Sequence, residues 1–266
     1  MYEVALDPRA LRAEGVAAYL QYAALEWPMR RLLARFNEHA TELKSLRIWL
    51  ISSTERGGGV AEMLPRIVCL MRELGVECHW LIMEVPGTER AKRFYALTKR
   101  LHNALHGAGA PLHEWWPPWV YEIAAEADSV HYVPRASAAA ADADVVVLEG
   151  GASPPAPPPA AASHAAAGEP VNLRAFRYLF ESVGSANADE FLARYAPSGG
   201  LQPHRDLVIV HDPQPAAMIA ALKAACPALR TIWRSHIGLD ETTPVTESAW
   251  ALLRPHVEQF SAAVFS

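Results

Sequence analysis

Leu46-Arg-Ile-Trp-Leu-Ile-Ser52, then Ser53-Thr-Glu-Arg-Gly-Gly-Gly59, then a long apolar-striped stretch, and finally Glu77-Cys-His-Trp-Leu-Ile-Met83 decide the fold. The first segment is an apolar run of strand length, and three glycines close its turn. From Val60 to Leu74, the residues Met63, Leu64, Ile67, Leu70, Met71 and Leu74 recur at helical spacing, and Gly75 stands where helices commonly stop. A second strand runs from Glu77 to Met83. Strand, turn, helix, glycine, strand is a βαβ unit, which implies a parallel sheet with a right-handed crossover.

Outward from this unit, residues 8–44 read as helix, with Asp7 and Pro8 at its start and breaks expected at Gly15 and Pro28. Downstream, helices are expected over Glu89–Leu105, from the Trp115–Tyr121 segment onward, and over Leu173–Tyr195 with a break near Gly184. Asp144–Leu148 is a short strand candidate. Residues 150–170 are mostly Gly, Ala, Pro and Ser and bury too little to offset their ordering entropy, so a disordered surface insertion is expected there. Strands at Leu207–Val210, Arg230–Arg234 and Ala262–Phe265 alternate with helices at Pro213–Ala225 and Val245–Phe260. The expected architecture is α/β: a Rossmann-like parallel sheet with helices on both faces (45–266), preceded by a helical extension (1–44).

Composition narrows the function classes. The 266 residues are 51% hydrophobic and 20% charged, which is globular, and the net charge of −5 comes from interspersed signs. No basic stripe points to nucleic acid, and no run of about 18 apolar residues points to a membrane span. The three cysteines, Cys69, Cys78 and Cys226, have no metal-like spacing. With no basic n-region or apolar h-region at the N-terminus, they suggest a reducing, cytoplasmic setting.

Four segments carry candidate chemistry. Gly57, Gly58 and Gly59 let backbone N–H groups approach a ligand at a helix N-terminus, which suits a phosphate or a sugar hydroxyl; a plain tight turn is the alternative. Arg56 and Glu62 flank them. In Val210-His-Asp-Pro-Gln-Pro215, His211 leaves a buried strand at the edge where open α/β sheets bind ligands. Asp212 either caps the next helix or touches ligand, and Gln214 follows. In Trp233-Arg-Ser-His-Ile-Gly-Leu-Asp240, Arg234 and His236 repeat that placement one unit later, with a structural loop as the alternative for His236. Lys99, His102, Asn103 and His106 share one helix face, either a cleft wall or a solvated surface. His102 and His106 have the spacing of a zinc pair but no intervening glutamate of a His-Glu-x-x-His motif, so no metal is expected. Trp115, Trp116 and Trp119 either stack on a sugar or belong to the core or a subunit contact.

Ser53–Glu62 and Val208–Pro215 together resemble the N-terminal half of retaining GT-B glycosyltransferases of the trehalose synthase and trehalose phosphorylase group. The segment Thr98-Lys-Arg-Leu-His-Asn-Ala-Leu105 is similar to that group's Thr-Lys-x-x-His-Asn-x-Leu helix. Trp233–Leu239 is similar to its Trp-Arg-Cys-His-Ile-Asp-Leu, with Ser235 and Gly238 departing from the pattern. The likeness covers about residues 46–107 and 205–266 and fades over 108–204. It implies a retaining glucosyl transfer in which His211 lies beside the transferred glucose. Arg56, Gly57, Gly58, Gly59, Lys99, Asn103, Asp212, Gln214, Arg234 and His236 would surround sugar and phosphate.

The implied partners are glucose, trehalose, glucose 1-phosphate or a nucleotide-glucose as substrate rather than cofactor, a C-terminal donor-binding half beginning near where this sequence stops, and self-association as a homodimer. Without that half, this chain is expected to be incomplete for catalysis. The rival expectation is a non-catalytic sugar- or partner-binding domain. A dehydrogenase-like nucleotide binder ranks last, because Gly-x-Gly-x-x-Gly is missing.

Overall fold

The computed structural model describes residues 1–6, 15–130, 146–148, 169–196 and 200–265. The start of the first expected helix and almost all of the Ala/Pro-rich stretch lie outside the described residues. The expected βαβ unit is present as β2 (Arg47–Ser52), α4 (Gly59–Glu73) and β3 (Glu77–Ile82), with β2 and β3 parallel. The end of α4 shows why the glycine is needed. Gly75 takes φ +83°, its N–H donates to Arg72 O and the Val76 N–H to Met71 O, so two otherwise unpaired carbonyls are satisfied.

Beyond this unit the strands are β1 (Tyr2–Glu3), β4 (Val146–Leu148), β5 (Asp206–His211), β6 (Arg230–Ser235) and β7 (Ala262–Phe265), in the order β1-β3-β2-β5-β6-β7-β4. Every pairing is parallel except β1 with β3. That antiparallel edge strand was not expected: two residues are too few for a periodicity to show.

The central strands are buried on both faces. Trp49 and Ile51 of β2 join one apolar cluster, while Ile48 and Leu50 join the other. A doubly buried strand therefore reads as an unbroken apolar run. The first cluster takes side chains from α5 (Thr88–Leu105), α6 (Val120–Ser129), α7 (Val171–Tyr195), α8 (Ile219–Ala225) and α9 (Pro244–Val257). The second takes Leu64 and Val68 of α4 and Phe36 of α2 (Ala23–Glu38), with Ala40 and Leu43 of α3 (Ala40–Ser45) packed against it. The short α1 (Val16–Leu20) precedes these. Helices thus cover both faces, as expected for an α/β sheet. Pro28 lies inside α2 and does not break it; the chain breaks at Gln21–Tyr22 instead.

Two further expectations are corrected. Helix α7 runs unbroken through Gly184. A Cβ there would sit 2.7 Å from the backbone of Ala217, so the glycine serves close approach of two backbones rather than a break. The helix expected to start at Pro213 begins later, as a 3₁₀ turn at Ala216–Met218 followed by α8, because residues 212–215 form a turn over the sheet's edge.

One ion pair holds the register of the two central strands. Arg47 and Asp206 face each other at the first position of the β2–β5 pairing. Asp206, fully buried, accepts from Arg47 Nε (2.6 Å) and Nη2 (2.9 Å), from Trp49 Nε1 (2.9 Å) and from the Gln202 N–H (2.7 Å). Burial pushes its carboxyl up, but these four donors more than offset that and hold it below the usual carboxylate value. Asp206→Ala is expected to cost about 3–5 kcal/mol, since it strands a guanidinium in a half-buried place; urea unfolding measures this. The native carboxylate's contribution is complete above the unfolded pKa of about 4 and is lost as pH falls through the lower folded value.

Candidate functional site

The strand order reverses at β2. From it the chain steps to β3 on one side and later returns to β5 on the other. Diverging connections leave a crevice beyond the carboxyl ends of β2 and β5, where open α/β sheets bind ligands. A cleft of about 500 Å³ occupies this place. Ser52, Ser53 and Thr54, leaving β2, form one wall, followed by the glycine triplet and the start of α4. The opposite wall is His211, Asp212 and Gln214 after β5, with His236 and Ile237 after β6. His102 of α5 also lines it.

The glycine wall borders open space rather than packed protein. Trp80 Nε1 donates to Ser52 Oγ (2.9 Å), and Ser52 Oγ donates to Thr54 O, which fixes the base of the loop. Gly57 and Gly58 then take φ of +75° and +89°, and no side chain caps α4. Its first-turn N–H groups therefore face the cleft with the positive end of the helix. A Cβ at Gly57, Gly58 or Gly59 would meet no protein atom within 4 Å. Positive φ, not crowding by the protein, accounts for the first two glycines.

Among the described residues, Asp212 is the one formally charged side chain on the histidine wall. His211 is only 2% exposed, and its Nδ1 lies 3.2 Å from His236 Nε2 with the rings parallel within 6°. Burial first, then the neighbouring His236 and Arg234, push its pKa down to about 3. Burial also lowers His236 and His102, and the nearby Asp212 carboxylate partly counters this in both. His211 Nε2 and Gln214 Oε1 are buried with no hydrogen-bond partner among the described residues. In a native protein, such orphans at a cleft wall point to a bound ligand or water.

The cleft brings together Gly57, Gly58, Gly59, His211, Asp212, Gln214 and His236. Asp212 does not cap a helix: its carboxylate accepts the His236 N–H at 3.0 Å. Arg234 is half-buried and outside the cleft's lining, with no partner for its Nε among the described residues. Arg56 points away, its side chain 90% exposed and near Glu55. Lys99 and Asn103 are exposed on α5; the helix commits Leu97, Thr98, Leu101, Ala104 and Leu105 to the core, and His102 alone of that polar face reaches the cleft. Among the described residues no three His, Cys, Asp or Glu side chains group as a metal would require. Trp115 and Trp119 pack edge-on against each other and, partly buried, against Phe176 of the core, Trp119 edge-on and Trp115 tilted, while Trp116 is exposed. Sequence reading missed Ser52, Ser53, Thr54, Val60 and Met63. Their only signal is their place at the end of β2 and the first turn of α4.

A ligand cleft at the switch point of a mostly parallel α/β sheet, walled by a glycine loop and buried histidines, defines the class. Comparison then places the chain within it: residues 50–156 and 164–266 match the family described as trehalose synthase, N-terminal domain, and the chain belongs to that family. It is similar to the trehalose synthases of Rubrobacter xylanophilus (28% identity over 240 residues) and Pyrococcus horikoshii (27% over 234). These alignments cover 89% and 88% of this chain but 39% and 37% of the relatives. That of Thermococcus litoralis is 26% identical over 228 residues, covering 85% of this chain and 36% of the relative. The chain thus spans under two-fifths of the length of these relatives. Among the described residues no helix is long and apolar enough to cross a membrane.

The buried histidines make stability pH-dependent in a defined sense. His256, 2% exposed beside Phe180, is likewise pushed to about 3, chiefly by burial and then by Arg177. Unfolded, each histidine titrates near 6.5, so below that pH the unfolded chain binds the proton first. Stability is expected to fall by about 1.4 kcal/mol per pH unit per histidine between about pH 6.5 and 3. Chemical denaturation at pH 7 and pH 5 measures this, and His256→Phe should remove roughly half of the histidine part of the loss. A flat profile in the wild type would contradict both assignments.

Proposed function

We propose that this chain is the acceptor-side, N-terminal half of a retaining glucosyltransferase with a GT-B architecture, acting on trehalose. It would serve either a synthase that joins glucose to the glucosyl group of a nucleotide-glucose, or a phosphorylase that releases glucose 1-phosphate from trehalose. Family membership supports the trehalose link. The observation that carries the assignment of the half is the cleft's charge. Among the described residues no Lys or Arg lines it, Asp212 is its one formally charged side chain, and its histidines are neutral. Such a wall suits a neutral hexose. Phosphoryl groups call for Arg, Lys or several converging N–H donors, and α4 offers only one helix end.

In this reading, the phosphate-holding groups come from a C-terminal half that closes over the cleft. The glycine loop lets sugar hydroxyls reach the first-turn N–H groups of α4. His211 Nε2 and Gln214 Oε1 complete their hydrogen bonds on the transferred or accepting sugar, and the dry walls exclude water from the reacting carbon. His211 orients sugar and is no nucleophile. No cofactor is needed, and the setting is cytoplasmic, in keeping with free thiols at Cys78 and Cys226.

Calorimetry with glucose and trehalose, paired with turnover assays on trehalose plus phosphate and on nucleotide-glucose plus glucose, tests this. Hexose binding is expected without turnover, weakened about tenfold or more by His211→Ala, as fits the loss of one buried hydrogen bond. Turnover by this chain that His211→Ala abolishes would overturn the need for a second half. Absence of both binding and turnover would overturn the sugar cleft itself. Gly58→Ala, which forces a side chain into positive φ and into open cleft space, is expected to cost roughly 1–2 kcal/mol of stability and to weaken the same binding.

A further inference from the structure

Two aromatic side chains of the Trp115–Tyr121 segment stay outside the core. Trp115 and Trp119 pack against Phe176, but Trp116 is 49% exposed and Tyr121 65% exposed. These two meet each other, with ring centroids 6.0 Å apart and planes 31° from parallel. At that distance and tilt the rings do not close into a stack, so each keeps open surface. Neither of them lines the cleft.

The pair stands on a stiff support. Asn172 of α7 is fully buried, and its side-chain amide donates to His113 O (2.9 Å) and Trp115 O (3.0 Å). The Leu112 N–H donates to Ser248 Oγ of α9 (2.9 Å). A 3₁₀ turn at Leu112–Glu114 precedes Trp116, and Pro117 and Pro118, each with its φ fixed by the ring, follow it. Tyr121 sits in the first turn of α6, whose Val120, Ile123 and Ala124 enter the core. Both rings are therefore carried by backbone tied to the interior, and a ligand that settles on them need not order that backbone first.

Area decides what can settle there. With half of one side chain and two-thirds of the other open, the pair offers on the order of 200 Å² of aromatic surface. A stable protein interface takes about 800 Å² from each partner. Glu114 and Glu122, exposed close by in sequence, are charged. The pair is thus a small apolar platform among polar residues, suited to a ring-sized ligand that is apolar on one face and polar at its rim. A pyranose is such a ligand: its C–H face lies on an aromatic ring while its hydroxyls stay hydrated or donate to a carboxylate.

We propose that Trp116 and Tyr121 form a second carbohydrate site, a surface platform for a neutral pyranose, apart from the cleft. The choice of a sugar as ligand rests on the function proposed above; the platform's separateness from the cleft does not.

Titration of the nitrogen-labelled chain with trehalose, and separately with glucose, reads the Trp116 indole N–H by NMR, assigned with Trp116→Phe. A saturable shift with a dissociation constant of order millimolar is expected, as suits a platform this small. His211→Ala should leave it in place. Tyr121→Ala removes a side chain two-thirds exposed, so the fold should tolerate it, and it should weaken the Trp116 response about fivefold, the range of one aromatic contact. Trp27, 67% exposed on α2, is the control. A Trp116 signal that neither sugar moves, a shift that Trp27 shares equally, or a response that Tyr121→Ala leaves unchanged would overturn the proposal. So would a Trp116 signal that moves with chain concentration in the absence of sugar, which would mark a contact between copies. A Trp116 response without any response of the His211 ring signals would overturn the sugar cleft and leave the platform standing; the reverse pattern would overturn the platform alone.

Discussion

The contact between Arg47 and Asp206 sets the rest of the molecule. It joins β2 and β5 at their amino ends, at the first pair of their register. Both strands then run six residues in parallel, so their carboxyl ends arrive together, one at Ser52 and the other at His211. Because alternate side chains enter different cores, a slip of one residue would send Trp49 and Ile51 into the cluster that now holds Ile48 and Leu50. The site's two walls are thus positioned from the far end of the sheet, by a buried carboxylate whose four donors leave it no other arrangement.

The same burial explains the site's chemistry. A strand packed on both faces can release polar side chains only at its ends, and His211 is the last residue of such a strand. It is dry for that reason, and a dry imidazole beside another imidazole and a guanidinium stays uncharged. Neutrality here follows from the fold and needs no special residue. The glycine loop opposite brings uncharged first-turn N–H groups to the cleft. Under the function proposed above, donors held in place on both walls are the condition under which hydrogen bonds to a neutral polyol contribute most to binding.

Much of this could be read from the sequence, and the failures share a cause. Strands β2, β3 and β5 were legible because burial on both faces writes a nearly continuous apolar run, β6 and β7 as short segments set between helical stretches, and α4 because its stripe ends in a glycine. The walls at Gly57–Gly59, His211 and His236 were legible as residues that follow such runs. What misled was local punctuation whose meaning lies in a distant contact. Gly184 looks like a break and is a crossing point with Ala217. Asp212 before Pro213 looks like a cap and is a tie to β6. Arg56 and Lys99 were attractive by charge and by kinship, yet a side chain's direction at a loop tip or on a helix surface has no one-residue signature. β1 left no trace, because two residues cannot express a period.

The departures Ser235 and Gly238, where the resembling family pattern has cysteine and aspartate, can be weighed against this geometry. Ser235 is buried; its hydroxyl donates to Ile237 O at 2.7 Å and accepts the Ile237 N–H at 3.4 Å, closing the turn that carries His236. A serine therefore does structural work there. Gly238 takes φ +156° with open space around its missing Cβ and is not part of the cleft's lining. Among the described residues, the one carboxylate on the cleft wall is Asp212, and it is already bonded to the His236 backbone. With its carboxylate engaged and its histidines neutral, the cleft offers hydrogen bonds rather than charge. Under the function proposed above, the charge that a glucosyl transfer must stabilise would be met by groups outside this cleft.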